Sequence, residues 1–183
     1  MRKVLQIAFF ILLFSCQNNN EKVRRIRAER MVDMWLDKQI EWTNNLQWKV
    51  MEKDTFIQDI STKPCKVLIY VDSTGCNECR LQPLEWKIFQ DSLRANHVEA
   101  PLYFIFQTED EIMLETIFVS HDLEALYARD HNNGFRQANQ FSKEDNILVF
   151  LLDEDNKIEL VGTPLFQPQL WKLYQKQIIK HLQ

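Results

Sequence analysis

Glycine is nearly absent from this chain. Only Gly75, Gly134 and Gly162 occur in 183 residues. Three scattered glycines cannot build a glycine-rich phosphate loop, which needs several within one short turn. A basic excess is missing too: the formal net charge is −4, so no polycationic surface points to nucleic acid. No apolar run reaches the roughly 20 residues that a membrane-spanning helix requires. There is no internal repeat, and the short polar stretch "QNNN" is the sole low-complexity tract. What the chain does have is large apolar side chains. Twelve Phe and five Trp within a 45% hydrophobic composition suffice for one globular domain with a real core, plus appendages.

The N-terminus reads as a targeting segment. Arg2 and Lys3 precede an eleven-residue run, Val4 to Phe14, apolar except for Gln6. That length suits a signal-peptide core and is too short to span a bilayer. The run ends in "LFSC", which resembles a bacterial lipobox and implies lipid modification at Cys16. Phe14 stands where a small residue is usual. Residues 1–15 are therefore expected to be a lipoprotein signal peptide. Their removal leaves 20 basic against 26 acidic residues, a balance of −6. The mature protein is expected outside the cytoplasm, anchored to the membrane by lipid and facing the periplasm, where disulfides persist. Three cysteines then remain for chemistry, Cys65, Cys76 and Cys79. An odd number leaves at least one outside any internal pairing.

Residues 16–62 are read as a tether, an N-terminal helix and an irregular arm. Val23, Ile26, Met31, Met34 and Trp35 recur at helical spacing. The opposite face mixes Arg and Lys with Glu21, Glu29 and Asp33, as a solvated face does. "KQIEW" is read as a short strand and "TNNLQWKVMEKD" as loop and turn. Trp42 and Trp48 are expected to cover a core edge.

Residues 63–183 carry a clearer pattern. "KVLIYV", Lys66 to Val71, is apolar without alternation, as in a strand buried on both faces. A helix is predicted from about Asn77 to Ala95, with Leu81, Leu84, Ile88 and Phe89 inward. "PLYFIF" is a second strand, and "EDEIMLETIF" a second helix with acids in its first turn, where the helix dipole favours them. "LEALYA" reads as a further strand and "HNNGFRQANQF" as a short helix. Ile147 to Leu152 and Lys157 to Val161 form a hairpin around "DEDN". A last helix presents Leu170, Trp171, Tyr174, Ile178 and Leu182 on one face. Alternating units of this kind predict an α/β fold, with helices on both faces of a sheet that the closing hairpin makes mixed.

Cys76 and Cys79, two residues apart in "GCNEC", admit three readings: a redox couple, half of a metal site, or a structural staple. Tetrahedral zinc needs four ligands. This chain offers one C-x-x-C, and His97, His121, His131 and His181 show no ligand spacing. No metal and no cofactor are therefore expected. Cys65 precedes the strand 66–71 while Cys76 follows it. Six strand residues at about 3.3 Å each separate the two by roughly 20 Å. Cys65 is thus expected to be a small buried residue.

The element order, the C-x-x-C after a central strand, the hairpin "LLDEDNKIELVG" and the closing helix resemble the thioredoxin superfamily over residues 62–183. With the lipid anchor, the nearest resemblance is to membrane-tethered thiol-disulfide oxidoreductases outside the cytoplasm. That resemblance implies a thioredoxin-like fold, Cys76 as attacking thiolate and Cys79 as resolving thiol. It also implies partners that are protein thiols or disulfides and a redox partner, with no nucleic acid. Helix N-termini stabilise thiolate through the dipole and unpaired N–H groups. The chain departs from the family pattern at several places. Gly75 stands where an aromatic residue is usual, and Pro83 lies seven rather than eight residues after Cys76. Asp72 does not correspond to the family's buried acid. Ile147, next to Asn146, occupies the place of the cis-proline whose backbone helps dock substrate. Glu78 between the thiols has two readings: a carboxylate that disfavours thiolate and so implies a reductant rather than an oxidant, or a plain first-turn acid that stabilises the helix. The alternative is a redox-inactive thioredoxin-like binding or scaffold lipoprotein with a structural Cys76–Cys79 disulfide, since fold alone does not decide function.

Overall fold

The computed structural model describes residues 21–50, 53–54, 63–72, 81–108, 110–142 and 146–182. Cys16, Gly75, Cys76, Glu78 and Cys79 lie outside the described residues, as do the signal segment and the first turns predicted for the helix after Cys76. The chain divides into two compact units, Met1–Leu36 and Asp37–Gln183.

In the first unit, the described residues form helix α1, 21–35. An Arg25–Glu29 pair at 2.8 Å links neighbouring turns. Four-residue spacing sets such side chains one above the other.

The second unit is built on a mixed sheet with seven described strands. These are β1 (Gln47–Val50), β2 (Lys53–Asp54), β3 (Cys65–Val71), β4 (Leu102–Phe106), β5 (Leu126–Arg129), β6 (Ile147–Asp153) and β7 (Ile158–Val161). Between them lie α2 (Pro83–Ala95), α3 (Glu111–Ser120) and α4 (Gly134–Ala138), with α5 (Pro168–His181) closing the chain. The spatial order is β2-β1-β5-β4-β3-β6-β7. β3, β4 and β5 run parallel, while β1, β2, β6 and β7 are joined antiparallel. The fold is the predicted α/β arrangement. Among the described residues no helix is long and apolar enough to cross a membrane.

Every residue of β3 is buried, which explains its unbroken apolar run. Alternation along the strands sends side chains to two different cores. Cys65, Val67, Ile69 and Val71 join Phe104, Phe106, Phe89, Phe118 and Tyr174 in the core beneath α2, α3 and α5. Leu68 and Tyr70 belong to the other face. There Tyr70 packs on Phe135 of α4 and on Phe141, with ring centroids 6.1 and 5.0 Å apart. Trp42 and Trp48 cover the same face, 5.6 and 5.5 Å from Tyr103.

Four sequence expectations change. The stretch read as loop and turn contains β1, which pairs with β5 from Gln47↔Arg129 to Val50↔Leu126. Four residues with one buried side chain, Trp48, give too short an alternation to stand out. "KQIEW" contributes a single bridge, Gln39↔Lys157. The inner face of α2 is Trp86, Phe89 and Leu93, whereas Leu84 and Ile88 are 57% and 47% exposed. Gln82 breaks the helix with φ 54°, and Pro83 starts it afresh, so the phase of Leu81 does not carry through. On α5, Tyr174 and Ile178 are buried, but Leu182 lies at the C-cap and is 44% exposed.

Candidate active site

Three parallel strands end together, and one polar residue follows each. Asp72 follows β3, Gln107 follows β4 and Asp130 follows β5. Backbone bonds continue the sheet through this row: Asp72 N–H donates to Asn146 O (2.9 Å), Gln107 N–H to Val71 O (3.0 Å) and Asp130 N–H to Phe106 O (2.8 Å). Strand parity puts all three side chains on the Tyr70 face, the face that α4 covers. Binding sites of open α/β sheets lie outside the carboxyl ends of the parallel strands.

Asp130 organises α4. Its carboxylate accepts from the backbone N–H of Phe135 (2.8 Å) and of Arg136 (2.9 Å), meeting donors that a helix start leaves open. The Tyr70 hydroxyl also donates to it at 3.4 Å. Burial, then the nearby Asp130 charge, pushes the Tyr70 phenol well above its ordinary pKa.

Anchored in this way, α4 sends Arg136 back toward the strand ends. Its Nε donates to Phe141 O at 3.2 Å and its Nη1 to Gln107 Oε1 at 2.9 Å. Nη1 also lies 3.5 Å from Asp72 Oδ2, with side-chain exposures of 9% and 5% for the two residues. Nη2 is sealed from solvent and has no hydrogen-bond partner among the described residues. Gln107 Nε2 in turn donates to Asn133 Oδ1. Beside this network lies a cavity of about 560 Å³, lined by Asp72, Gln107, Asn133, Arg136, Gln137 and Gln140, with Phe141.

The sequence-predicted residues fall around this end of the sheet or away from it. Ile147 pairs with Val71, and Asn146 accepts the Asp72 N–H. Both therefore stand beside the residues from which the chain leads to Cys76. Among the described residues no peptide bond is cis. Cys76 and Cys79 are outside the described residues, as is Cys16. Cys65 pairs with Asp153 at the opposite end of β3. It is 1% exposed, and burial, followed by the Glu159 charge, pushes its thiol up to about 11. Beside it, the buried Lys66 amine donates to Glu154 O (3.0 Å) and Lys63 O (3.3 Å). Burial lowers its pKa. Among the described residues no group of three or more His, Cys, Asp or Glu could hold a metal ion.

Sequence reasoning missed Gln107, Asp130 and Arg136. Two signals were present. Asp72 and Asp130 each follow a strand directly, and Arg136 is the one Arg or Lys between Asp130 and Ser142.

No family model matches the chain, and no curated protein matches it. Solved structures do. A candidate thiol:disulfide interchange protein DsbE from Chlorobium tepidum matches with a TM-score of 0.56 and 17% identity, over 81% of this chain and 99% of that one. The thioredoxin domain of a thiol-disulfide oxidoreductase from Bacteroides vulgatus also gives 0.56, at 10% identity over 78% and 97%. A variant of Xanthomonas campestris peroxiredoxin Q gives 0.56 at 9% identity, over 80% and 99%. The fold is thioredoxin-like.

Proposed function

We propose that the chain is a lipid-anchored thiol-disulfide oxidoreductase of the cell envelope, facing the periplasm, with Cys76 and Cys79 as its redox pair. The observation that carries this reading is one of order along the chain. C-x-x-C begins four residues after Asp72, where the central strand of a thioredoxin-like sheet has just ended. That solved proteins of this fold include thiol-disulfide oxidoreductases and a peroxiredoxin agrees with it.

In this reading the Cys76 thiolate attacks a substrate disulfide. A mixed disulfide forms and one substrate sulfur leaves, taking up a proton. The Cys79 thiolate then attacks Cys76 Sγ, releasing the second substrate sulfur as a thiol. Two electrons have passed to the substrate, and the enzyme holds Cys76–Cys79 as a disulfide. A dithiol protein must reduce that disulfide to close the cycle. Glu78 between the thiols favours the reducing direction.

Cys79→Ser tests the assignment, because a mixed disulfide on Cys76 then has no resolving thiol. Trapped protein partners on Cys76, together with insulin reduction by the unmodified chain, are the expected result. The competing reading, a scaffold lipoprotein with a structural disulfide, is favoured by Ile147 at the usual proline position. It predicts no trapped partner, no insulin reduction and a very low reduction potential. Lipidation at Cys16 predicts acyl mass on the mature N-terminus in intact-mass measurement of membrane-extracted protein.

A further inference from the structure

Helix α1 takes no part in the exchange steps above, and its charge sets it apart from the rest of the chain. Residues 22–30 hold Lys22, Arg24, Arg25, Arg27 and Arg30 against one acid, Glu29. Residues 31–183 hold 15 basic against 24 acidic residues. Every residue from Glu21 to Arg30 is exposed. Among the described residues, Arg25 alone of the five cations has a salt bridge, to Glu29 at 2.8 Å.

One side of α1 joins this charge to apolar surface. Val23, Ile26, Arg27, Arg30 and Met34 follow one another at steps of one, three and four, which sets them on one face. Val23, Ile26 and Met34 are 64%, 46% and 41% exposed. The buried Trp35 lies on a different side, a step of about 100° from Met34. Glu21 and Glu29 fall off the face, and Asp33 stands at its border. Lys22 and Arg24 stand at its two edges.

Exposed apolar side chains flanked by guanidinium groups suit the surface of an anionic bilayer. The apolar groups enter the boundary between head groups and acyl chains, while the Arg stems lie along it and bring their charge to the phosphates. The chain keeps this helix close to that surface. Five residues separate Glu21 from Cys16, the proposed lipidated residue, and five extended residues reach at most about 18 Å.

We propose that α1 lies on the bilayer surface and binds anionic phospholipid head groups through Arg27 and Arg30, with Lys22 and Arg24 at the edges and Val23, Ile26 and Met34 turned to the lipid. Nearness to the bilayer rests on the lipid anchor proposed above; the preference for anionic lipid rests on the helix alone.

The test uses residues 17–183, which hold every described residue and no acyl group. The protein is co-sedimented with vesicles of phosphatidylcholine, or of phosphatidylcholine with about one-quarter phosphatidylglycerol. The expected result is at least about tenfold stronger binding to the anionic vesicles, weakening as salt is raised. Arg27→Gln/Arg30→Gln should lower that binding at least about tenfold. Lys172→Gln/Lys176→Gln removes the same charge from exposed positions of α5 and should leave it unchanged. Equal binding to the two vesicle types overturns the proposal, as does an equal loss in the two double variants, which would assign the effect to overall charge. In the full anchored protein, tryptic cleavage after Arg27 and Arg30 should slow at least about fivefold when the bilayer contains phosphatidylglycerol. Equal cleavage in both bilayers also overturns it. An acylated Cys16 with no preference for anionic vesicles removes this inference and leaves the anchor standing. Anionic binding by residues 17–183 without acylation at Cys16 does the reverse.

Discussion

Oδ2 of Asp72 stands 3.5 Å from Nη1 of Arg136, and both side chains are almost closed to water. The pair joins the end of the central strand to a five-residue helix on the far side of one core. Buried pairs of this kind contribute little net stability, because desolvation offsets their attraction. Their effect is on position: α4 is held at the strand ends by Arg136 together with the Asp130 carboxylate.

Removing one partner is a different matter from never having had the pair. Arg136→Met takes a guanidinium away from a buried carboxylate and leaves Gln107 Oε1 and Phe141 O without their donor. The expected loss is about 3–5 kcal/mol in urea unfolding. Asp72→Asn keeps a polar group of the same shape and is expected to lose less. The double variant should lose less than the sum of the two singles, with an interaction of about 1–3 kcal/mol. Strict additivity would mean the two groups do not act on each other.

Helix α2 gives a sharp contrast between neighbours. Phe89 is fully buried and meets Trp86 and Trp171 edge-on at 5.7 and 4.8 Å. Phe89→Ala should cost about 3–5 kcal/mol. Ile88→Ala and Leu84→Ala, on the exposed side, should stay within about 0.5 kcal/mol. Denaturant midpoints of the three variants check the helix phase directly. A large loss at Ile88 would restore the face that simple spacing predicts.

What the sequence made legible is the interior of the sheet. β3, β4 and β6 announce themselves because buried strands are apolar whatever their neighbours, whereas β7, with Ile158 alone buried, is legible from the hairpin turn before it. The same logic found the closing helix, whose Tyr174 and Ile178 fill the core. The phase of α2 was hidden because one residue, Gln82, adopts a left-handed backbone, which composition does not reveal. β1 was hidden by its length. The Asp72–Arg136 pair was out of reach for a topological reason. Its partners are 64 positions apart and meet only after β4 and β5 have been laid beside β3. Asp130 could be read as an acid at a strand end, but its role as anchor of α4 depends on where that helix returns.

Cys65 should make itself felt in alkali. Its folded-state thiol is pushed up to about 11 from 9.0. Between those values the unfolded chain has lost the proton and the folded chain still holds it. Stability from this group is therefore complete below pH 9 and falls as pH rises toward 11. The loss reaches about 2 kcal/mol at pH 11. Tyr103, raised by burial to about 12, adds a loss of the same sign. Comparison with Cys65→Ala isolates the thiol: the variant starts lower but loses about 2 kcal/mol less between pH 8 and 11. Parallel pH curves for the two proteins would show that Cys65 ionises equally in both states.

Phe166 holds a backbone that its side chain does not suit. Its φ is 57°, in the left-handed region that costs an L-residue roughly 1–2 kcal/mol. Burial does not offset this, since the residue is 66% exposed. Four residues earlier, at φ 107°, the same connection uses Gly162. Glycine at 166 relieves the contact between Cβ and the backbone, but adds up to about 1 kcal/mol of unfolded-state freedom. Phe166→Gly is therefore expected to stabilise the protein by about 0.5 kcal/mol, while Phe166→Ala, which keeps Cβ, should give no gain. Urea midpoints of the two variants separate the causes. A gain with Gly alone assigns the strain to the backbone. A loss with both would show that the aromatic ring stabilises this connection through contacts that outweigh its strained φ.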